Sequence, residues 1–480
     1  MATSGAGEKT YILERSQSEA SEMSTVSDTR HLVEEKAKDD GKFNSSLPMT
    51  SFNFINSIIG SGIIGIPFAF KQAGFGLGVL LLILTAVITD YSILLLIEAG
   101  KLSNSVSYQG VMLVVCGRYG FYLLTFLQFL YPLIAMISYN VIIGDTITKI
   151  VVRVGTEEVL GGTLLANRQF IIFLSTLIVT LPLSLYRDVT KLSKWAFLSI
   201  ALIFFILACI IVRIGPFAHQ IPATADAWQF ADQNFAQAVG IMAFAYMCHH
   251  NTFLIHGSME NPTPERWNVV THISIGFSMS MMLILGICGY ITFTGYTQGD
   301  LLENYCHDDD LLNGARFAFC VTIMLTYPLE CFVVREVIQN TFFTANADGE
   351  PFWRHLLVTI GIVILTVAVS MLTDCLGIVL TFNGVLVASP LAFIIPPVLV
   401  IRLRQEPLVS KGNIVPVLIA VFGVLVMVLG FTMAIVDLAE GIQCNHGREM
   451  FYCENKHGIS IPINDTASKI TNGSLASGVL

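Results

Sequence analysis

The chain has 480 residues, 54% of them hydrophobic and only 13% charged, with a mean hydropathy of +0.69 and a net charge of −9. Soluble domains carry about 25% charged residues, so this balance excludes an ordinary soluble fold and points to a chain solvated largely by lipid. Its basic residues sit singly between apolar runs, which excludes the clustered cationic surface that nucleic acid requires.

Residues 1–48 are rich in Ser, Glu, Lys and Asp. They cannot bury enough apolar surface to offset their ordering entropy, so a disordered cytoplasmic tail is expected. No apolar run near Met1 resembles a signal peptide, and the first span is expected to act as an uncleaved anchor. The tail's "DTRHLV" is read as a chance match to a sorting element.

A helix needs about 20 mainly apolar residues to cross a bilayer. Such runs occur near 50–71, 75–99, 119–149, 168–186, 192–214, 234–256, 269–295, 314–342, 353–373, 376–401 and 413–438, which makes eleven expected spans in an all-α polytopic membrane protein. The expected core is 49–438, followed by a tail over 439–480. Lys and Arg favour one set of loops, including Lys101, Arg118, Arg187, Arg266, Arg354, Arg402, Arg404 and Lys411. The positive-inside rule makes that side, and the N-terminus, cytoplasmic. An odd span count then places the C-terminal tail outside or in a lumen, where the sequons at Asn464 and Asn472 are glycosylation candidates. Among ten cysteines, Cys306, Cys444 and Cys453 fall in outer segments and are disulfide candidates, with connectivity open; the other seven are expected to be buried thiols.

The first span contains "NSIIGSGIIGIP", residues 56–67. Glycine costs about 1 kcal/mol and proline about 3 kcal/mol in a helix interior, so helix-breakers at membrane depth need a reason. A phosphate loop is excluded, because no strand precedes the glycines and no Lys-Ser/Thr closes them. Close helix packing through small residues is one reading. The other is an unwound segment lining a cavity, whose freed carbonyls coordinate a cation and whose half-helix N-terminus meets a carboxylate. Inverted-repeat transporters carry a second broken helix at the matching position. Five spans later, span six holds the polar centre Cys248-His249-His250-Asn251. Spans 1–5 (about 50–214) and 6–10 (about 234–401) would then have opposite topology, with 413–438 as an added helix. In span eight, Thr322, Thr326 and Glu330 recur every four residues on one face, offering hard oxygen ligands. Glu330 and His249 are candidates for ion or proton coupling, against structural hydrogen bonding as the plainer role. No paired carboxylates, metal-spaced histidines or Ser/His arrangement suggests an enzyme.

Five stretches, "FNFINSIIGSGIIGIPFAFKQAGF", "LYPLIAMISYNVIIGDT", "FAYMCHHN", "ITFTGYTQGDLLENY" and "LTYPLECFVVRE", resemble the sodium-coupled neutral amino acid transporters. These belong to the amino acid/auxin permease branch of the amino acid–polyamine–organocation superfamily, and the resemblance spans about residues 50–438. It implies a five-plus-five inverted repeat with broken first and sixth helices plus one added helix. It also implies a sodium site from Asn56, the Ile59 carbonyl and Thr326, with Thr322 nearby. Gly60, Ser61 and Gly62 would meet the substrate carboxylate, and Phe244, Ala245 and Tyr246 its amine and side chain. The chain departs from the better-known members in having no cysteine between spans five and six. The expected activity is sodium-coupled symport of small neutral, glutamine-like amino acids by alternating access, without a cofactor. The plasma membrane is the expected location and the lysosomal membrane the alternative. A proton-coupled or organellar transporter and a non-transporting amino acid sensor are the rival readings.

Overall fold

A computed structural model describes residues 45–155, 163–164, 167–187, 196–342, 351–373, 375–440 and 450–454. The expected cytoplasmic tail, Cys444, Asn464 and Asn472 lie outside the described residues. Among those described, the chain is helical, with one isolated β-bridge between Ser45 and Met259 and no strand.

The first expected span is two helices, α1 (Leu47–Ile58) and α2 (Ile66–Ala73), joined through a 3-10 turn at Ser61–Gly65. The two halves are bent by 50°. Then follow α3 (Phe75–Leu102), α4 (Tyr108–Gly155), α5 (Arg168–Ser184) and α6 (Ala196–Gln220). The sixth span is again two helices, α7 (Phe235–Ala245) and α8 (His249–Ser258). The remainder are α9 (Pro264–Phe293), α10 (Asp310–Phe342), α11 (Phe352–Leu372), α12 (Leu376–Arg404), α13 (Ile414–Glu440) and the short α14 (Phe451–Glu454).

Nine helical segments are long and apolar enough to cross a membrane, and the bent α1–α2 pair makes ten among the described residues. The segment expected as span four, α5, has only 17 residues and falls short of that length. It is loosened by a π turn over Thr176–Thr180, next to Pro182. The third span starts earlier than expected: Tyr108–Cys116 joins it through a non-helical Gly117 at φ +66°, a left-handed conformation that glycine adopts cheaply.

The broken helices run antiparallel. At one end Asn234, just before α7, donates to Gln72 on α2 at 3.3 Å. At the other, Ser45 pairs with the end of α8, through Ser45 N to Ser258 O (2.9 Å) and Glu260 N to Ser45 O (3.0 Å). Every residue from Ala236 to Ala245 is buried, so α7 runs through the centre of the bundle. By contrast α13 exposes Val421, Val424, Leu425 and Val428, a surface suited to lipid tails.

Prolines create local carbonyl vacancies that side chains fill. Pro396 in α12 cannot donate to the preceding turn. The Leu391 carbonyl accepts instead from the Tyr108 hydroxyl at 2.9 Å, and the Ala392 carbonyl accepts from Ser92. On the face opposite Ser45, Cys306 and Cys453 form a disulfide with a Cα–Cα distance of 5.4 Å. Cys375, expected as a buried thiol, is buried but disulfide-bonded; it stands at the N-terminal cap of α12 and not within the apolar span.

Candidate functional site

The helix breaks are built from backbone. After α1, Ile59 is extended (φ −81°, ψ 92°) and Gly60 adopts φ −122°, ψ −149° before the 3-10 turn begins. After α7, Tyr246 leaves the helix and the chain re-enters at His249. The two breaks touch. A Cβ placed on Gly62 would lie 2.6 Å from the Ala245 Cα and 3.1 Å from the Phe244 ring. Only glycine permits that approach. Gly60 has more room, since its Cβ would stand 3.5 Å from the Tyr139 hydroxyl, an ordinary contact.

Three side chains of α4 line this junction, and sequence reasoning assigned none of them a role. The Tyr131 hydroxyl donates to the Phe244 carbonyl at 3.3 Å, and its ring packs on Phe244 and His250. The Ser138 hydroxyl lies 3.4 Å from that of Ser61. The available signal was the polar interruption Ser138-Tyr139-Asn140 within an apolar run. The Tyr246 hydroxyl is fully buried and has no hydrogen-bond partner among the described residues.

The structure therefore brings together Gly60, Ser61, Gly62, Phe244 and Ala245 at one junction. The ion-site residues are less tightly joined. Asn56 lies in the last turn of α1, half-buried, three residues before the break at Ile59. Thr322 and Thr326 each donate to the carbonyl four residues back, Ala318 at 3.1 Å and Thr322 at 2.9 Å. Their oxygens keep lone pairs that a cation can use. Among the described residues no hydrogen bond joins Asn56 to Thr326.

Glu330 lies one helical turn beyond Thr326, and its Oε2 is buried without a hydrogen-bond partner among the described residues. His249 instead ties the second break to α3, with Nε2 3.2 Å from the Ser92 hydroxyl. His250 Nε2 lies 3.0 Å from Asn251, whose amide donates to Ser57 at 2.9 Å. Thus the polar centre of span six mainly fastens α8 to its neighbours.

Comparison with known proteins bears on this junction. A protein from Danio rerio, "Putative sodium-coupled neutral amino acid transporter 11", is 49% identical over 410 residues, covering 85% of this chain and 90% of the relative. The protein of the same name from Homo sapiens is 48% identical over 80% of this chain and 92% of its own length. "Vacuolar amino acid transporter 2" of Saccharomyces cerevisiae is 29% identical over 86% of this chain and 88% of the relative. Among solved structures, MhsT in complex with L-phenylalanine matches with a TM-score of 0.56 at 13% identity, covering 80% of this chain and 98% of that one. A manganese transporter mutant of Eremococcus coleocola matches with a TM-score of 0.52 at 13% identity, over 82% and 89%. These two establish the fold as that of multi-pass transporters with the five-plus-five repeat. The model for "Transmembrane amino acid transporter protein" matches residues 44–436. With that match running from just before α1 into α13, the chain belongs to the transmembrane amino acid transporter protein family, membrane transporters and not enzymes.

Proposed function

We propose that the protein is a secondary active transporter that couples sodium entry to the uptake of small neutral, glutamine-like amino acids by alternating access. The observation that carries this reading is the backbone-to-backbone contact of the two breaks, Gly62 against Ala245. Freed N–H groups at Gly60, Ser61 and Gly62 suit a substrate carboxylate, and the Phe244–Tyr246 segment faces its other end. Sodium would be held by Asn56, the Ile59 carbonyl and Thr326, with Thr322 as a further oxygen donor. The relatives named as sodium-coupled support the ion.

The same reading assigns eleven spans, with α5 as the fourth, repeats over 50–214 and 234–401 and an added helix at 413–438. It places the N-terminus in the cytoplasm, the disulfide face outside and the protein in the plasma membrane, glycosylated at Asn464 and Asn472.

Uptake of L-glutamine into proteoliposomes, with and without a sodium gradient, tests the proposal. Accumulation that requires sodium supports it. Uptake that ignores sodium and follows a proton gradient overturns the coupling ion. One observation favours that second reading, a proton-coupled or organellar transporter: the buried Glu330 Oε2, which has no hydrogen-bond partner among the described residues. The vacuolar relative agrees with it. In Glu330→Gln, proton-driven uptake would vanish while sodium-driven uptake would survive. Saturable binding with no flux under either gradient would make the protein a sensor.

A further inference from the structure

A polar cavity of about 160 Å³ opens on the disulfide face between the ends of α2, α7, α12 and α13 and the loop that follows α9. It is separate from the junction of the breaks. Gly62, Gly65, Phe68 and Lys71 recur every three residues along one track. Gly62 meets Ala245, Gly65 meets Leu380 and Ile241, and Phe68 and Lys71 line the cavity. Leu380 and Ile241 are both buried, so an apolar layer lies between cavity and junction.

The cavity wall holds Asp300, which is only 3% exposed. Its Oδ1 accepts from Leu302 N at 2.8 Å, but its Oδ2 is buried with no hydrogen-bond partner among the described residues. An ionised carboxylate oxygen left in that condition is costly unless a cation or donor joins it. The neighbouring cations are already engaged. Lys149 lies 3.5 Å from Glu303 and donates to the Glu303 carbonyl at 3.1 Å. Arg316, fully buried, donates to the Leu302 carbonyl at 2.9 Å and to Asn313. Asp437 accepts from Gln237 at 2.8 Å. Lys71, also in the wall, donates to the Thr297 carbonyl at 3.3 Å, three residues before Asp300. An ammonium has three donors, so Lys71 retains capacity for an anion.

The geometry points to a second binding site in this cavity for the zwitterion of a free amino acid, with its ammonium on Asp300 Oδ2 and its carboxylate on Lys71. Entry from the disulfide face would fill this site first, with Leu380 and Ile241 yielding before the substrate reaches the breaks. The inference rests on the amino acid substrate proposed above, and its test separates the two.

Radiolabelled L-glutamine is titrated by equilibrium dialysis against the full-length protein in lipid nanodiscs, with uptake measured in parallel. Two binding components are expected in the wild type. Asp300→Asn keeps the Oδ1 acceptor for Leu302 N and so preserves the turn. It should weaken one component about tenfold or more, as should Lys71→Gln, because each removes a charge-assisted hydrogen bond. Decarboxylated glutamine, 4-aminobutanamide, should fail to compete for that component. Gly62→Ala should remove the other component alone. The inference is overturned if both cavity variants leave every component unchanged, or if 4-aminobutanamide competes as well as glutamine. An Asp300-dependent component in a protein that shows no uptake would retain this site and sink the transport reading instead.

Discussion

The two polar regions on the α2–α7 track recognise by different means. The junction at Gly62 and Ala245 is made of backbone, uncharged and closed by glycine. The cavity two turns away is made of side chains, with Asp300, Glu303, Asp437 and Lys71 in its wall. Backbone cannot be retuned by pH, but it is intolerant of added volume. Charged side chains tolerate small changes in volume and respond to pH. The difference suggests a division of labour: the cavity selects by charge, and the junction selects by fit.

The largest expected effect comes from volume at the junction. Gly62→Ala puts a methyl 2.6 Å from the Ala245 Cα, and overpacking of this kind costs about 1–3 kcal/mol or more. Uptake should fall by roughly a hundredfold, since the contact that must be displaced is itself the site. Gly60→Ala, whose methyl meets only the Tyr139 hydroxyl at 3.5 Å, should keep most activity. Equal losses in both variants, with equal protein in the membrane, would mean that the junction has no special closeness.

Next is the ion site. Asn56→Ala should raise the sodium concentration needed for half-maximal uptake by about tenfold, the scale of one lost oxygen ligand. Thr326→Ala should raise it less, because the Thr326 hydroxyl already donates to Thr322 O at 2.9 Å and contributes only its remaining lone pairs. Sodium titration of uptake measures both. If surface abundance falls in step with uptake, the two residues serve packing.

The cavity should answer to pH where the junction does not. Burial, reinforced by the Glu303 charge, pushes the Asp300 carboxyl up to about 7, against the opposing pull of Lys149, Arg316 and the Leu302 N–H. Above that pH the group is ionised and can hold an ammonium; below it the group is neutral and cannot. The Asp300-dependent component of glutamine binding should therefore weaken as pH falls through about 7, while the Gly62-dependent component stays flat. Dialysis at several pH values reads both, and Asp300→Asn should remove the response near pH 7. A pH response that persists in Asp300→Asn belongs to another group.

Much of the junction was legible in the sequence because its cost is local. Glycines and a proline in a first span are expensive wherever they stand, and so is Cys-His-His-Asn in the middle of a sixth. That the breaks touch, and through Gly62 in particular, depends on how two helices cross, which no local pattern encodes. Span four was read as an ordinary helix because hydropathy is blind to the π turn over Thr176–Thr180. Asp300 was invisible for a different reason. An acid in a loop is solvated by default, and it is buried here only because the loop folds inward. Tyr452 holds that loop by donating to the Asn304 carbonyl at 2.6 Å, while Cys453 clamps it through Cys306. The burial of one residue is thus set by a segment about 150 positions away.

The smallest effect tests whether α4 positions the junction. Tyr131→Phe keeps the ring against Phe244 (5.6 Å between centroids) and His250 (5.2 Å) and removes only the hydroxyl that donates to the Phe244 carbonyl. A single neutral hydrogen bond contributes about 0.5–1.5 kcal/mol, so the loss should be a few-fold to about tenfold. It should appear in the KM for amino acid and leave the sodium dependence unchanged, because the proposed substrate site includes Phe244 and the proposed ion site does not. A change confined to the sodium dependence would place Tyr131 with the proposed ion site instead. The two sides of the junction would then be coupled through this one phenol, and the separation between substrate and ion would no longer hold.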